Sequence, residues 1–135
     1  MTTLEIKRWL NPWPIYISKN TEWTLEVETL QQASRYLIFH GAKQQHPPTA
    51  GYFVKKLYQS IQRRTDPPKG YDGHYIEVLA RDLAPQLRSL TIIVDQVPYG
   101  WRIIDGNHRL FACLLRVYQK LPIQIKFVGV VKQKC

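Results

Sequence analysis

Asp105-Gly106-Asn107-His108-Arg109 gathers five residues suited to phosphate chemistry between an apolar, strand-like run and a helix-like one. A glycine at such a junction lets backbone and ligand approach closely. The first N–H groups of the helix that follows have no intrahelical partner, and the helix dipole adds partial positive charge there. Arg109 supplies a forked cation that can hold phosphate oxygens in pairs, and His108 a second donor. These are the parts of a phosphate site, built from Gly106, His108 and Arg109. If a hydroxyl attacked the bound phosphate, its base would have to lie within hydrogen-bond reach. Asp105 is the nearest carboxylate by sequence and the catalytic candidate, with Asp95 and Glu77 behind it. A plainer reading uses the same residues: Asp105 or Asn107 caps the helix, Gly106 turns the chain, and His108 and Arg109 face water.

Other reactive residues are sparse. The histidines are His40, His46, His74 and His108. His74 and His108, taken with Asp72 and Asp105, would suit a metal-dependent nuclease, but neither pair has the short rigid spacing of a metal site. Asp72-Gly73 reads more simply as a turn. Cys113 sits in an apolar helical pattern as a small core residue, and no CxxC or Cys/His cluster exists, so no metal centre is expected. No nucleophile triad stands out.

The 135 residues carry 19 Lys+Arg against 10 Asp+Glu, a net charge of +9 that favours a polyanionic partner: DNA or RNA, a nucleotide, or an acidic protein surface. Lys55, Lys56, Arg63, Arg64 and Lys69 form the densest basic stretch, and the first four are the candidate nucleic-acid contacts. The same charges also read as a solvated surface. Trp9, Trp13, Trp23 and Trp101 could stack on bases, or simply pack at the core and its rim. A hydrophobic content of 44% excludes disorder, and no apolar run approaches the ~20 residues of a membrane span. Met1 to Pro14 lacks the apolar core of a secretion signal. A cytoplasmic protein of one domain, 1–135, with no membrane partner is expected.

Several elements must position the junction. Pro14 to Ile17 and Trp23 to Val27 read as extended. Glu28 to His40 reads as a helix through Leu30, Ala33 and Leu37, stopped by Gly41. Thr49 caps a helix running to about Arg64, with Phe53, Leu57 and Ile61 on its apolar stripe. Residues 75–88 suggest a short helix interrupted near Pro85. Leu90–Val94 and Trp101–Ile104 form a hairpin around Pro98-Tyr99-Gly100. A helix then runs to about Gln119 with Leu110, Leu114 and Val117 inward, and Pro122 opens a strand from Ile123 to Val131. Helices and strands mixed without regular alternation indicate α+β.

Gly106-Asn-His-Arg-Leu-Phe-Ala112 resembles the G-x-x-R-x-x-A box of the ParB/sulfiredoxin-like superfamily, in which Asp-Gly-Asn-His-Arg is a frequent spelling. Phe53 to Ile61 is similar to the helix that precedes the box in ParB-like domains, Leu121 to Ile125 to the strand that follows it, and Leu4 to Trp13 faintly to the opening strand. The match is best over 90–127, and residues 62–89 would be an insertion. The resemblance implies a small α+β domain with a mixed sheet and packed helices. It would hold a nucleoside triphosphate, with Mg2+, at Gly106 to Arg109, with hydrolysis or phosphotransfer as the reaction. Two departures matter. Sulfiredoxins have a catalytic cysteine where this chain has Asn107, which speaks against sulfinic acid reduction. ParB proteins usually have acidic and basic residues at the two middle box positions, where this chain has Asn107 and His108, and a helix-turn-helix domain beyond the box; the chain ends at Cys135, so a stand-alone ParB-like domain, of the kind suited to a plasmid or phage, is expected. A basic nucleic-acid-binding protein or nuclease is the alternative, and an inactive protein-interaction module a third reading.

Overall fold

The computed structural model describes residues 22–38, 48–98 and 100–134. The expected extended segment at Pro14–Ile17, the faint match at Leu4–Trp13, His40, Gly41 and His46 lie outside these residues.

Four strands form one mixed sheet: β1 (Glu22–Thr29), β2 (Thr91–Val97), β3 (Gly100–Asp105) and β4 (Phe127–Lys134), in the spatial order β1-β4-β2-β3. β2 pairs antiparallel with β3 in the expected hairpin and parallel with β4, while β1 runs antiparallel to β4 along one edge. The helices are α1 (Leu30–Ala33), α2 (Ala50–Arg63), α3 (Gly73–Asp82) and α4 (Asn107–Tyr118), with a single 3-10 turn at Ala84–Gln86. The fold is α+β.

α4 is the central helix. It packs against both α2 and α3 and is buried continuously from Leu110 to Arg116. Leu110, Phe111 and Leu115 are fully buried, each contributing roughly 1.5–3 kcal/mol relative to an exposed side chain. They join Ile92, Val94, Ile103, Val128 and Val130 of the sheet in one core with Phe53, Val54 and Leu57 of α2 and Ile76 and Ala80 of α3. Phe53 meets Phe111 near the starts of α2 and α4, and Tyr58 stacks on Tyr118 toward their ends. The two helices therefore run in the same sense. Tyr75 meets His108, and the Arg116 guanidinium donates to the Ala80 carbonyl at 3.1 Å, so α3 runs with them. The chain returns from the end of α2 to the start of α3 through Asp66-Pro67-Pro68-Lys69-Gly70, with Tyr71 back beside Phe53 at 5.2 Å. The starts of α2, α3 and α4 thus share one end of the helix layer.

Three expectations need correction. Of the helix expected over Glu28–His40, the described part up to Ile38 holds only the four-residue α1, because Leu37 serves β3 instead: its N–H donates to the Trp101 carbonyl at 2.9 Å, and the Ile103 N–H donates to its carbonyl at 2.8 Å. The last strand begins at Phe127, not near Ile123; Ile125 is buried within the preceding connection, and Phe127 is exposed. Val117 is half exposed instead of inward, since α4 turns its Leu110–Arg116 span into the layer and Val117 lies beyond it.

Candidate functional site at the start of α4

Three helix starts are closed by side chains. Thr29 Oγ1 accepts the Gln32 N–H of α1 at 3.1 Å, Thr49 Oγ1 accepts the Tyr52 N–H of α2 at 3.2 Å, and Asp72 Oδ1 accepts the Tyr75 N–H of α3 at 3.1 Å. Asp72 is therefore a helix cap, not the turn residue expected beside Gly73. The start of α4 differs. Its cap residue is Gly106, which brings no side chain, and neither Asp105 nor Asn107 caps the helix. The first intrahelical bond runs from the Leu110 N–H to the Gly106 carbonyl at 3.1 Å, leaving the N–H groups of Asn107, His108 and Arg109 ahead of it.

Gly106 is required on two grounds. Its φ is +88°, in the left-handed region. A Cβ there would lie 2.8 Å from the Thr91 carbonyl oxygen and 3.0 Å from Ile92 Cγ2, so the junction is pressed against β2. Gly106 thereby places the first turn of α4 directly at the end of β3.

Around it, Asp105 and Arg109 are exposed, while Asn107 and His108 are partly buried. Among the described residues no carboxylate pairs with Arg109, so its guanidinium is available to an anion. Asn107 Oδ1 is buried and, among the described residues, is the one buried side-chain oxygen or nitrogen without a hydrogen-bond partner. An unpaired buried acceptor costs about 1–3 kcal/mol, and such groups often mark places shaped for something other than stability. The His108 ring lies edge-on to Tyr71 at 5.8 Å and to Tyr75 at 5.2 Å between centroids. Tyr71 in turn packs on Phe111 at 4.9 Å. Nothing in the spacing of the Tyr71-Asp-Gly-His-Tyr75 run points to this role of its two tyrosines.

The other candidates are scattered. Asp95 forms a two-pronged ion pair with Arg102, with oxygen–nitrogen distances of 3.1 and 2.8 Å, which occupies its carboxylate as a structural partner across the hairpin. Glu77 sits partly buried in the middle of α3, and His74 is exposed in its first turn. Among the described residues no group of three His, Cys, Asp or Glu side chains could hold a metal ion. Cys113 is buried in α4, and desolvation pushes its thiol up to about 11, which keeps it protonated and unreactive at neutral pH. Lys55, Lys56, Arg63 and Arg64 are exposed on α2. Arg63 and Arg64 stand at its far end, about 15 Å along the helix from Phe53 at 1.5 Å per residue, so they do not join the α4 start in one compact pocket. Trp101 is partly buried beneath the Lys132 ammonium, 5.4 Å from its ring.

A cleft of about 550 Å3 opens elsewhere, lined by Glu26, Glu28, Arg35, Tyr36, Trp101 and Lys132 among others. Lys132 bridges Glu26 at 2.9 Å and Glu28 at 3.8 Å, and the Tyr36 hydroxyl donates to Glu28. Burial, then the neighbouring Glu28 carboxylate, pushes the Tyr36 hydroxyl well above its usual pKa. Lys132, Glu26 and Glu28 in this cleft are thus matched to one another, while Arg35 forms no ion pair among the described residues.

No described helix is long and apolar enough to cross a membrane. Comparison with family models, curated proteins and solved structures returns no match.

Proposed function

We propose that the chain binds the phosphate groups of a nucleotide at the start of α4, as a ParB/sulfiredoxin-like domain would. The observation that carries this reading is the uncapped start of α4 at Gly106, beside three helix starts that are capped. Phosphate oxygens would accept the N–H groups of Asn107, His108 and Arg109, and the Arg109 guanidinium would close over them in a forked pair of hydrogen bonds. The shared direction of α2, α3 and α4 places three positive dipole ends on the same side, which favours an anion there. The box resemblance of Gly106 to Ala112 supports the same assignment.

Asp105 ends β3, exposed and adjacent to the junction. In a bound triphosphate it would be the candidate to accept a proton from an attacking water or hydroxyl, which would make the protein a nucleotide hydrolase or phosphotransferase. Mg2+ carried by the triphosphate would neutralise phosphate charge.

Thermal unfolding at low salt with ATP, CTP, GTP and ADP, each with and without Mg2+, tests the reading. A ligand that binds the folded chain raises its apparent stability. At least one nucleotide should raise the midpoint of the parent, and Arg109→Ala should fold as the parent does while losing that rise. An equal rise in the variant would remove Arg109 from the site; no rise with any nucleotide would contradict the reading.

A second reading rests on α2, where Lys55, Lys56, Arg63 and Arg64 are exposed and, among the described residues, form no ion pair. A nucleic-acid backbone could follow that face, and its binding would weaken steeply with salt. If neither nucleotide nor nucleic acid binds, an acidic protein partner becomes the explanation of the basic surface.

A further inference from the structure

We infer that the cleft holding Arg35, Tyr36, Trp101 and Lys132 is a binding site for a small aryl carboxylate, a flat apolar body with one negative charge. Its volume, about 550 Å3, lies within the roughly 300–1,000 Å3 of small-molecule sites. It stands at the other end of the sheet from the start of α4. Trp101 pairs with Gln96 and Lys132 with Val94 toward the end of β2, whereas Gly106 is pressed against Thr91 at its beginning. The two sites therefore stand or fall separately.

The cleft has engaged acceptors and spare donors. Lys132 Nζ lies 2.9 Å from Glu26 and 3.8 Å from Glu28, and Glu28 also accepts the Tyr36 hydroxyl. Gln32 Oε1 accepts the Thr29 N–H at 2.8 Å, which leaves the two hydrogens of its amide nitrogen. Those hydrogens, the Arg35 guanidinium and the Trp101 indole N–H line the cleft without a partner among the described residues. Gln32 and Arg35 are also neighbours. The Arg35 N–H donates to the Gln32 carbonyl at 3.1 Å, and in such a 3-10 turn the side chains at i and i+3 eclipse.

This inventory selects the ligand. Surplus donors call for an acceptor, and one unpaired cation calls for one negative charge. A carboxylate meets both needs, because its two oxygens take the guanidinium fork in a parallel pair. A phosphate dianion would add a second negative charge beside Glu26 and Glu28, whose shared cation is already spent. The rest of the lining is apolar or aromatic: Val27, Leu37 and the rings of Tyr36 and Trp101. The Lys132 ammonium, 5.8 Å from the Tyr36 ring and 5.4 Å from the Trp101 ring, holds those two rings about one cation. A flat apolar body would cover that surface.

Titration of the 15N-labelled chain with benzoate, benzylammonium and acetate tests the site, on the parent, Arg35→Gln and Glu26→Gln. Benzoate should move the Trp101 indole and Gln32 side-chain amide signals saturably at millimolar concentration, and benzylammonium should leave them in place. Acetate should bind about 10- to 100-fold more weakly than benzoate, for want of the ring. Arg35 is exposed, so Arg35→Gln should fold as the parent does and bind benzoate about 10- to 100-fold more weakly. Glu26→Gln removes a negative charge and loosens Lys132, so benzoate should bind about 2- to 5-fold more tightly. No saturable movement with benzoate, equal movement with benzylammonium, or unchanged affinity in Arg35→Gln would overturn the site. Acetate binding as tightly as benzoate would overturn the aryl body, and weaker benzoate binding in Glu26→Gln would overturn the charge assignment.

Discussion

The starts of α3 and α4 touch through Tyr75 and His108, yet they are finished in opposite ways. At α3, Asp72 places a carboxylate oxygen on the Tyr75 N–H and supplies the negative charge that a helix start favours. At α4, Gly106 supplies no side chain, Arg109 is unpaired among the described residues, and the Asn107 acceptor is left without a hydrogen. The first arrangement serves the fold alone. The second leaves stability unclaimed, and its open N–H groups and Arg109 are what the proposed phosphate site would use. Helix composition does not account for the difference, since both helices have apolar faces buried in the same core.

The comparison can be broken most sharply at Gly106. Gly106→Ala must place a Cβ at 2.8 Å from the Thr91 carbonyl while holding a left-handed φ, so the fold should lose about 2–4 kcal/mol. Urea unfolding measures the loss; a change near zero would show that the junction can relax away from β2. A smaller effect is expected at the capped start. Asp72→Ala should cost about 1 kcal/mol in the same measurement without weakening nucleotide binding. Asp105→Ala should be the mirror image, changing stability by less than about 0.5 kcal/mol while abolishing any nucleotide turnover. If Asp105→Ala proved the more destabilising of the two, the contrast between a structural and a functional carboxylate would be lost.

Much of this contrast was legible in the chain and part of it was not. The hairpin and α4 announce themselves because Pro98 and Gly100 flank one turn and Asp105-Gly106 the other, and Thr49 marks the start of α2 through local cap chemistry. Gly106 stands at the strand-to-helix junction that its sequence neighbours indicate, but its closeness to Thr91 depends on β2 and cannot be read from those neighbours. The Leu30, Ala33 and Leu37 spacing suggested a long helix because periodicity is blind to partners; Leu37 gives its backbone to β3. The alternation at Ile123, Ile125 and Phe127 failed for the same reason, since Ile125 enters the core without a ladder to join. Tyr71 and Tyr75 reach His108 only because the Pro67-Pro68 segment returns the chain to the start of α2. Lys55, Lys56 and Arg63 are exposed on the outward face that their spacing along α2 indicates, but spacing could not show where that face lies relative to α4.

The central claim is that the free N–H groups of α4, and not the capped ones of α3, receive phosphate. Backbone amide shifts of the 15N-labelled chain, followed during titration with the nucleotide that gives the largest thermal stabilisation, test it residue by residue. The account predicts the largest movements at Asn107, His108 and Arg109, with the Arg109 side chain following and the Lys55 and Lys56 amides near their starting positions. Movements centred on Lys55, Lys56, Arg63 and Arg64, with Asn107 to Arg109 unchanged, would contradict it and assign the anion to the basic face of α2.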